Sequence, residues 1–148
     1  MKIAIGSDHG GYALKQELIQ ALSQAGYEMM DVGTFSQDSC DYPVFSIKVG
    51  EAVRDKKAQF GILVCRSGVG MAMAANKVKT VRAALCLTER MAELARTHND
   101  ANVLSLGADL VDIVTAEKIA LAFLRSPFEG GRHARRVEQI IEYEKTHT

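Results

Sequence analysis

The sequence predicts one α/β domain, residues 1–148, in which helices cover both faces of a five-stranded parallel sheet. Short apolar runs alternate along the chain with longer segments whose apolar residues recur at helical spacing. The short runs lack polar alternation, which is typical of strands buried on both faces of a parallel sheet. A length of 148 residues suits one domain with its own core, and the sequence has neither an internal repeat nor a low-complexity linker.

The first two predicted strands flank a helix. Residues 3–5 are apolar and lead into the glycine-rich loop 6–11, so they form the first strand. Apolar residues then recur at helical spacing over residues 14–25, and Gly26 follows where a helix commonly ends. Residues 27–32 form the second strand, and a polar loop follows.

The middle of the chain repeats this order of strand and helix. A helix over residues 43–56 begins at Pro43, because the N–H that proline lacks would have no partner at the start of a helix. Residues 60–65 form the third strand, and a glycine-rich turn leads into a helix over residues 69–77. Residues 81–86 form the fourth strand.

The last part of the chain adds a strand and further helices. Thr88 is a suitable N-cap for a helix that ends near residue 98, because its hydroxyl can accept an N–H of the first turn. Residues 102–106 form the fifth strand, and helices over residues 115–124 and 132–144 complete the fold.

The composition argues against several classes of function. Lys plus Arg is 18 and Asp plus Glu is 18, so the net charge gives no reason to expect a nucleic acid or an anionic membrane as partner. No apolar run approaches the length of about 20 residues that a membrane-spanning helix needs. The cysteines show no disulfide pattern, which predicts the reducing cytoplasm as location: Cys40, Cys65 and Cys86. No metal ligands are predicted, because the sequence has neither two histidines at i, i+4 spacing nor a carboxylate–histidine triplet.

Polar residues gather in three loops and at the start of the last helix. Ligands of such folds bind near the carboxyl ends of the strands, and this rule selects residues 7–11, 65–70 and 98–102, the last of which precede the fifth strand. We expect these loops and the arginines of the last helix to converge on one edge of the sheet. Each cluster alone also has a structural explanation, such as an aspartate that accepts nearby backbone N–H groups.

The segment GILVCRSGVGMAMAANK, residues 61–77, places a cysteine between a buried strand and a glycine-rich turn. The turn leaves backbone N–H groups free ahead of a helix, so it can hold an anion or an oxyanion. It is not a Walker loop, because no Gly-Lys-Ser/Thr follows, and Met71 stands where a cysteine phosphatase has arginine. The helix start and Arg66 favour Cys65 as a thiolate that acts as nucleophile or base. Spacing alone does not separate this hypothesis from a buried structural cysteine.

Five ordered blocks cover most of the chain: GSDHGGYALK at residues 6–15, DYP at 41–43, GILVC-x-SGVGMAMAANK at 61–77, RTHNDANVLSLG at 96–107 and FEGGRHARRV at 128–137. Together they resemble the family of type B ribose-5-phosphate isomerases, which also includes isomerases of allose and galactose 6-phosphates. The resemblance implies a Rossmann-like α/β/α fold and a homodimer with active sites at the subunit interface. It also implies isomerisation of a small phosphorylated sugar from aldose to ketose through an enediolate, without a metal or organic cofactor.

The resemblance further implies roles for the matching residues. Three of them are implied to be catalytic: Cys65, Ser67 and His98. The implied contacts to the substrate come from Asp8, His9, Tyr42, Gly68, Val69, Gly70, Asn99, Arg132 and Arg136. The thiol moves a proton between C1 and C2, the serine and the turn N–H groups stabilise the enediolate, and the catalytic histidine assists ring opening. The resemblance implies that Asp8 and Tyr42 contact sugar hydroxyls and that Asn99 lines the pocket. His9, Arg132 and Arg136 are implied to hold the phosphate.

Two positions depart from the family pattern and leave the choice of substrate open between pentose and hexose phosphates. Arg66 follows the cysteine where the family commonly has glycine, and Asp109 stands where it commonly has arginine. Arg66 either reaches the phosphate, pairs with Asp109 of the partner subunit, or points into solvent. Dimer and tetramer are both open, as is one subunit of a heteromeric isomerase. A non-catalytic phosphosugar-binding protein is a further alternative, although it would not need the cysteine.

Overall fold

The computed structural model describes residues 1–147, and its strands and helices alternate as predicted. The strands are β1 (Lys2–Ser7), β2 (Glu28–Asp31), β3 (Phe60–Cys65), β4 (Ala83–Leu85) and β5 (Val103–Gly107). The helices are α1 (Tyr12–Gln24), α2 (Tyr42–Arg54), α3 (Val69–Ala75), α4 (Glu89–Thr97), α5 (Ile113–Arg125) and α6 (Arg132–His147). Every strand pairing is parallel, and the order across the sheet is β2-β1-β3-β5-β4. In this part of the chain, no helix is both long and apolar enough to cross a membrane.

Two apolar cores lie on opposite faces of the sheet, because successive strand residues point to opposite sides. In β3, Val64 enters one core, and its neighbours Leu63 and Cys65 enter the other. Helices α1, α4 and α5 pack on the first face, and α2 with α3 packs on the second. Each fully buried aliphatic side chain of these cores stabilises the fold by about 1.5–3 kcal/mol. This arrangement confirms the predicted three-layer α/β/α fold.

The ends of several elements differ from the prediction for identifiable reasons. Helix α3 ends at Ala75 rather than at residue 77, because the Asn76 side chain bonds with the backbone of Ala83, the first residue of β4. Strand β4 lies at the sheet edge and pairs only with β5, so fewer of its residues are held in the sheet. The bounds of β3 are those predicted, and Thr88 accepts the Met91 N–H at 3.1 Å as the predicted N-cap.

The direction of the chain decides which loops share an edge of the sheet. The loops after β1, β3 and β5 all lie at the carboxyl edge. Helix α4 returns the chain from the end of β4 to the start of β5, so residues 98–102 lie at the opposite, amino-terminal edge. The Asn102 carbonyl accordingly accepts the N–H of Gly61 near the start of β3, at 3.0 Å. The prediction that all polar clusters converge on one edge is therefore wrong for residues 98–102.

Candidate active site

A cavity of about 500 Å³ opens at the carboxyl edge, beside the end of β3. Its lining, which we call the thiol pocket, consists of Asp8, His9, Tyr42, Cys65, Arg66, Ser67, Val69, Gly70 and Met73. Among residues 1–70, most of the side chains predicted for the substrate site therefore line this one cavity. The loop after β1, the start of α2 and the turn after β3 bring them there.

The thiol of Cys65 lies at the base of the turn that begins α3. The residue is only 6% exposed, and its Sγ accepts the Gly68 N–H at 3.0 Å. This hydrogen bond holds the sulfur against the start of α3. Gly68 adopts a φ of 78°, and a Cβ there would lie 2.7 Å from Leu85, so the turn requires glycine. The Ser105 hydroxyl donates to the Gly68 carbonyl at 2.7 Å and fixes the turn from β5.

Ser67 and Gly70 complete the glycine-rich turn. The Ser67 hydroxyl accepts the Val69 N–H at 3.2 Å, which holds the serine side chain against the start of α3. A Cβ on Gly70 would lie 2.6 Å from the Tyr42 ring, so only glycine lets this ring lie against the turn. The ring forms one wall of the thiol pocket.

Asp8 and His9 follow β1 and have fixed orientations. The buried Asp8 accepts the Gly11 N–H through Oδ1 at 3.0 Å, which is a structural role, and the residue also lines the pocket. The Nδ1 of His9 accepts the backbone N–H of Cys40 at 3.2 Å. A neutral His9 therefore carries its proton on Nε2 and is a hydrogen-bond donor at that atom.

A second polar group, the histidine cluster, consists of His98, Glu129 and His133 near the amino-terminal edge. The rings of His98 and His133 stack with their centroids 4.1 Å apart. Glu129 Oε1 is 3.7 Å from the Nε2 of each histidine, and the Glu129 N–H donates to the Thr97 carbonyl. Burial, and then electrostatic interaction with His98 and Arg132, lower the pKa of His133. A neutral imidazole there is the form that the fold favours.

The histidine cluster is also a set of possible metal ligands. Its three donor atoms all lie within 4.8 Å of one another, and two imidazoles with a carboxylate are typical zinc ligands. The triplet is not visible in the sequence, because His98 at the end of α4 is far along the chain from Glu129 and His133. The i, i+4 spacing of Glu129 and His133 was the sequence signal for two of the three residues.

The remaining predicted residues lie with the histidine cluster and not with the thiol pocket. Asn99 follows His98 and lines a separate cavity of about 630 Å³ that α6 also borders. Arg132 and Arg136 lie on the exposed side of α6, which begins next to Glu129. Within one chain, the structure therefore separates the predicted site residues into two groups at opposite edges of the sheet.

Sequence reasoning missed two buried cations that shape these loops. Lys15 is fully buried and contacts Asp31 Oδ1 at 2.7 Å and the Thr34 carbonyl at 2.6 Å, which holds the loop after β2. Arg96 donates to Asp100 at 2.9 Å and to the Ala101 carbonyl at 2.6 Å, which fixes the segment before β5. The sequence signal for the burial of Lys15 was its position next to the apolar positions of α1.

The sequence is similar to known sugar-phosphate isomerases over nearly its whole length. The sequence model of a family described as Ribose/Galactose Isomerase matches residues 3–140. Ribose-5-phosphate isomerase B of Escherichia coli K12 is 43% identical over 144 residues, 97% of this chain and 97% of that protein. The probable ribose-5-phosphate isomerase B of Mycoplasma genitalium is 44% identical over 145 residues, 97% of this chain and 95% of that protein.

Solved structures of similar proteins share the fold. Clostridium thermocellum ribose-5-phosphate isomerase B superposes with a TM-score of 0.98 at 49% identity and covers 100% of both chains. Ribose-5-phosphate isomerase B from Mycoplasma genitalium with bound ribulose-5-phosphate superposes with a TM-score of 0.92 at 44% identity, over 97% of this chain and 96% of that one.

Proposed function

Because the chain belongs to the ribose/galactose isomerase family and is a sugar-phosphate isomerase, we propose that it interconverts ribose 5-phosphate and ribulose 5-phosphate with Cys65 as the base. The choice of the pentose phosphate is supported by the names of the relatives and by the ribulose 5-phosphate bound in the Mycoplasma genitalium structure. The observation that carries the role of the base is the Cys65 thiol at the mouth of a backbone turn that donates an N–H to it.

The proposed reaction moves one proton between neighbouring carbons. The Cys65 thiolate removes the proton from C2 of the open-chain aldose, and the electron pair moves through C1 onto the carbonyl oxygen to give an enediolate. The thiol then returns the proton to C1, while the hydroxyl proton at O2 moves to O1 and C2 becomes the ketone carbon. A base within reach of both carbons is sufficient for this transfer.

The turn after β3 supplies the donors that an enediolate needs. Negative charge develops on oxygen as the carbon proton leaves, and fixed backbone N–H groups stabilise it without reorganisation. The Ser67 hydroxyl and the N–H groups of residues 67–70 belong to the turn that follows the thiol and are proposed for this role. Asp8 and Tyr42, which line the same pocket, are proposed to contact the sugar hydroxyls.

A homodimer is proposed to complete the site, because one chain keeps the thiol pocket and the histidine cluster apart. The ends of the five-residue strand β5 alone are about 13 Å apart at a rise of about 3.3 Å per residue. In a two-fold dimer, the thiol pocket of one subunit can face the histidine cluster of the other. His98 would then open the sugar ring, Asn99 would line the pocket, and Arg132 and Arg136 would hold the phosphate with His9.

The direct test is a coupled isomerase assay of the purified chain with ribose 5-phosphate, allose 6-phosphate and galactose 6-phosphate. The proposal predicts the highest kcat/KM for ribose 5-phosphate. A preference for either hexose phosphate would reassign the substrate, and a folded chain that is inactive until a second protein is added would reveal a heteromeric enzyme.

A further inference from the structure

Arg66 stands at the rim of the thiol pocket, directly after the proposed base. Among the residues that line this pocket, it is the only lysine or arginine. Its side chain is 64% exposed, and its Nη1 lies 3.8 Å from Oδ1 of Asp109 in the same chain. The pocket therefore has a permanent cation at its entrance, and this cation has a carboxylate competitor beside it.

The backbone fixes where this cation lies. The Asp109 N–H donates to the Arg66 carbonyl at 2.9 Å, and the Ala108 N–H donates to the Cys65 carbonyl at 2.8 Å. A Cβ on Gly10 would lie 2.6 Å from Cγ and 3.1 Å from Nε of Arg66, so the arginine stem crosses the Gly10 backbone. The guanidinium is thus placed next to the loop that carries His9, whose Nε2 is a donor when the ring is neutral.

The contact between Arg66 and Asp109 is weak enough to be exchanged. Both side chains are mostly exposed, at 64% and 58%, and an exposed ion pair of this kind contributes little to stability. The buried pair of Lys15 and Asp31, with a contact of 2.7 Å, is by contrast a fixed part of the fold. A sugar phosphate offers two negative charges and several oxygens to a planar guanidinium, so it competes well with one exposed carboxylate.

We propose that Arg66 binds the phosphate of the substrate together with His9, and that Asp109 of the same chain limits this affinity by competing for the guanidinium. The inference rests on the proposed sugar-phosphate site. It adds a phosphate ligand that belongs to the same subunit as the base. It also assigns Asp109 an effect on binding that is opposite in sign to that of Arg66.

The test compares Arg66→Gln, Asp109→Asn and the double variant with the parent by calorimetric titration with ribose 5-phosphate and with inorganic phosphate, and by steady-state kinetics. We expect Arg66→Gln to raise Kd and KM about tenfold, with a smaller change in kcat. We expect Asp109→Asn to lower Kd about threefold, and this gain to shrink when Arg66 is already replaced. Arg54→Gln, which removes an arginine paired with Asp55 at the far end of α2, is the control and should leave Kd unchanged.

Each other outcome has a defined meaning. If the parent isomerises ribose 5-phosphate and Arg66→Gln binds both probes as the parent does, the inference fails and the proposed function stands. A loss confined to kcat would also overturn it, because Arg66 would then act on the chemistry and not on the phosphate. If the parent does not isomerise ribose 5-phosphate, the proposed function fails, and the Kd for inorganic phosphate still decides whether Arg66 binds an anion there.

Discussion

The two edges of the sheet present different kinds of chemistry. At the carboxyl edge, the backbone sets the geometry: the thiol of Cys65 receives an N–H from a turn that only glycine can form at position 68. At the amino-terminal edge, side chains from two helices and the loop before α6 meet, as in the stacked rings of His98 and His133. The first edge suits a developing oxyanion, and the second offers imidazoles and cations.

This difference explains why neither region is sufficient by itself for the proposed reaction. A base with oxyanion donors moves a proton along an open-chain sugar, but it does not open the ring. Arg66 supplies one positive charge at this edge, whereas a phosphate dianion carries two negative charges. The imidazoles and arginines of the other edge are proposed to open the ring and to complete the neutralisation of the phosphate. The proposed homodimer joins the two edges, so variants at each edge should fail in different ways.

The largest effect is expected at the thiol edge. Cys65→Ala should lower kcat by about 10² to 10⁴, because the general base is lost while a small buried side chain is kept. Iodoacetamide should label Cys65 ahead of Cys40 and Cys86, and substrate should protect it. Burial raises the pKa of the Cys86 thiol to about 11, so Cys86→Ala is the matched control and should keep both turnover and labelling. If Cys65→Ala turned over substrate nearly as fast as the parent, Cys65 would not be the base.

A different kind of loss is expected at the histidine edge. His98→Asn should lower turnover of the cyclic sugar by about 10²-fold, a typical contribution of an acid–base group. Exchange of the C2 proton from the open-chain sugar should fall much less, because that step uses the thiol. The two rates are measured by the coupled assay and by deuterium incorporation in NMR. Equal losses in both would mean that His98 supports the structure rather than ring opening.

The arginines of α6 should affect binding rather than chemistry. Arg132→Ala or Arg136→Ala should raise KM about 30-fold, equivalent to about 2 kcal/mol for one lost charged hydrogen bond. Inorganic phosphate should inhibit the parent competitively and inhibit these variants less. Arg125→Ala, at the C-terminal end of α5, provides a comparison for the loss of an arginine elsewhere. An unchanged KM in both α6 variants would place the phosphate elsewhere.

The smallest effect is a pH dependence of stability at the histidine edge. Burial, then His98 and Arg132, lower the pKa of His133 in the folded chain, so the unfolded chain takes up this proton more readily. The resulting contribution is present above the unfolded pKa of about 6.5 and is lost as the pH falls below it. Tm measured across this range should fall less steeply for His133→Gln than for the parent. Parallel curves would show that His133 is not held neutral by the fold.

Local sequence patterns predicted the fold and the turn after Cys65 well, because both depend on short stretches of chain. The other residues of the thiol pocket, such as Tyr42, were assigned from the family resemblance, because they come from distant segments. The apolar run of β3 and the glycines after it determine a strand and a turn within about ten residues. Residues 98–102 were predicted at the carboxyl edge of the sheet. They lie at the amino-terminal edge, because they follow a helix and precede β5. Glu129 and the buried Lys15 were missed because their partners lie far away in the sequence, and periodicity carries no information about such contacts.

The most direct test of the shared site uses hybrid dimers. Cys65→Ala and His98→Asn chains carrying different tags are coexpressed, and the hybrid is purified through both tags. A site that takes its thiol from one chain and its histidine from the other leaves one unmodified site in each hybrid, so the hybrid should recover about half of the parental activity. A purified hybrid that is no more active than its parent variants would show that the thiol and the histidine do not serve a site shared between two chains.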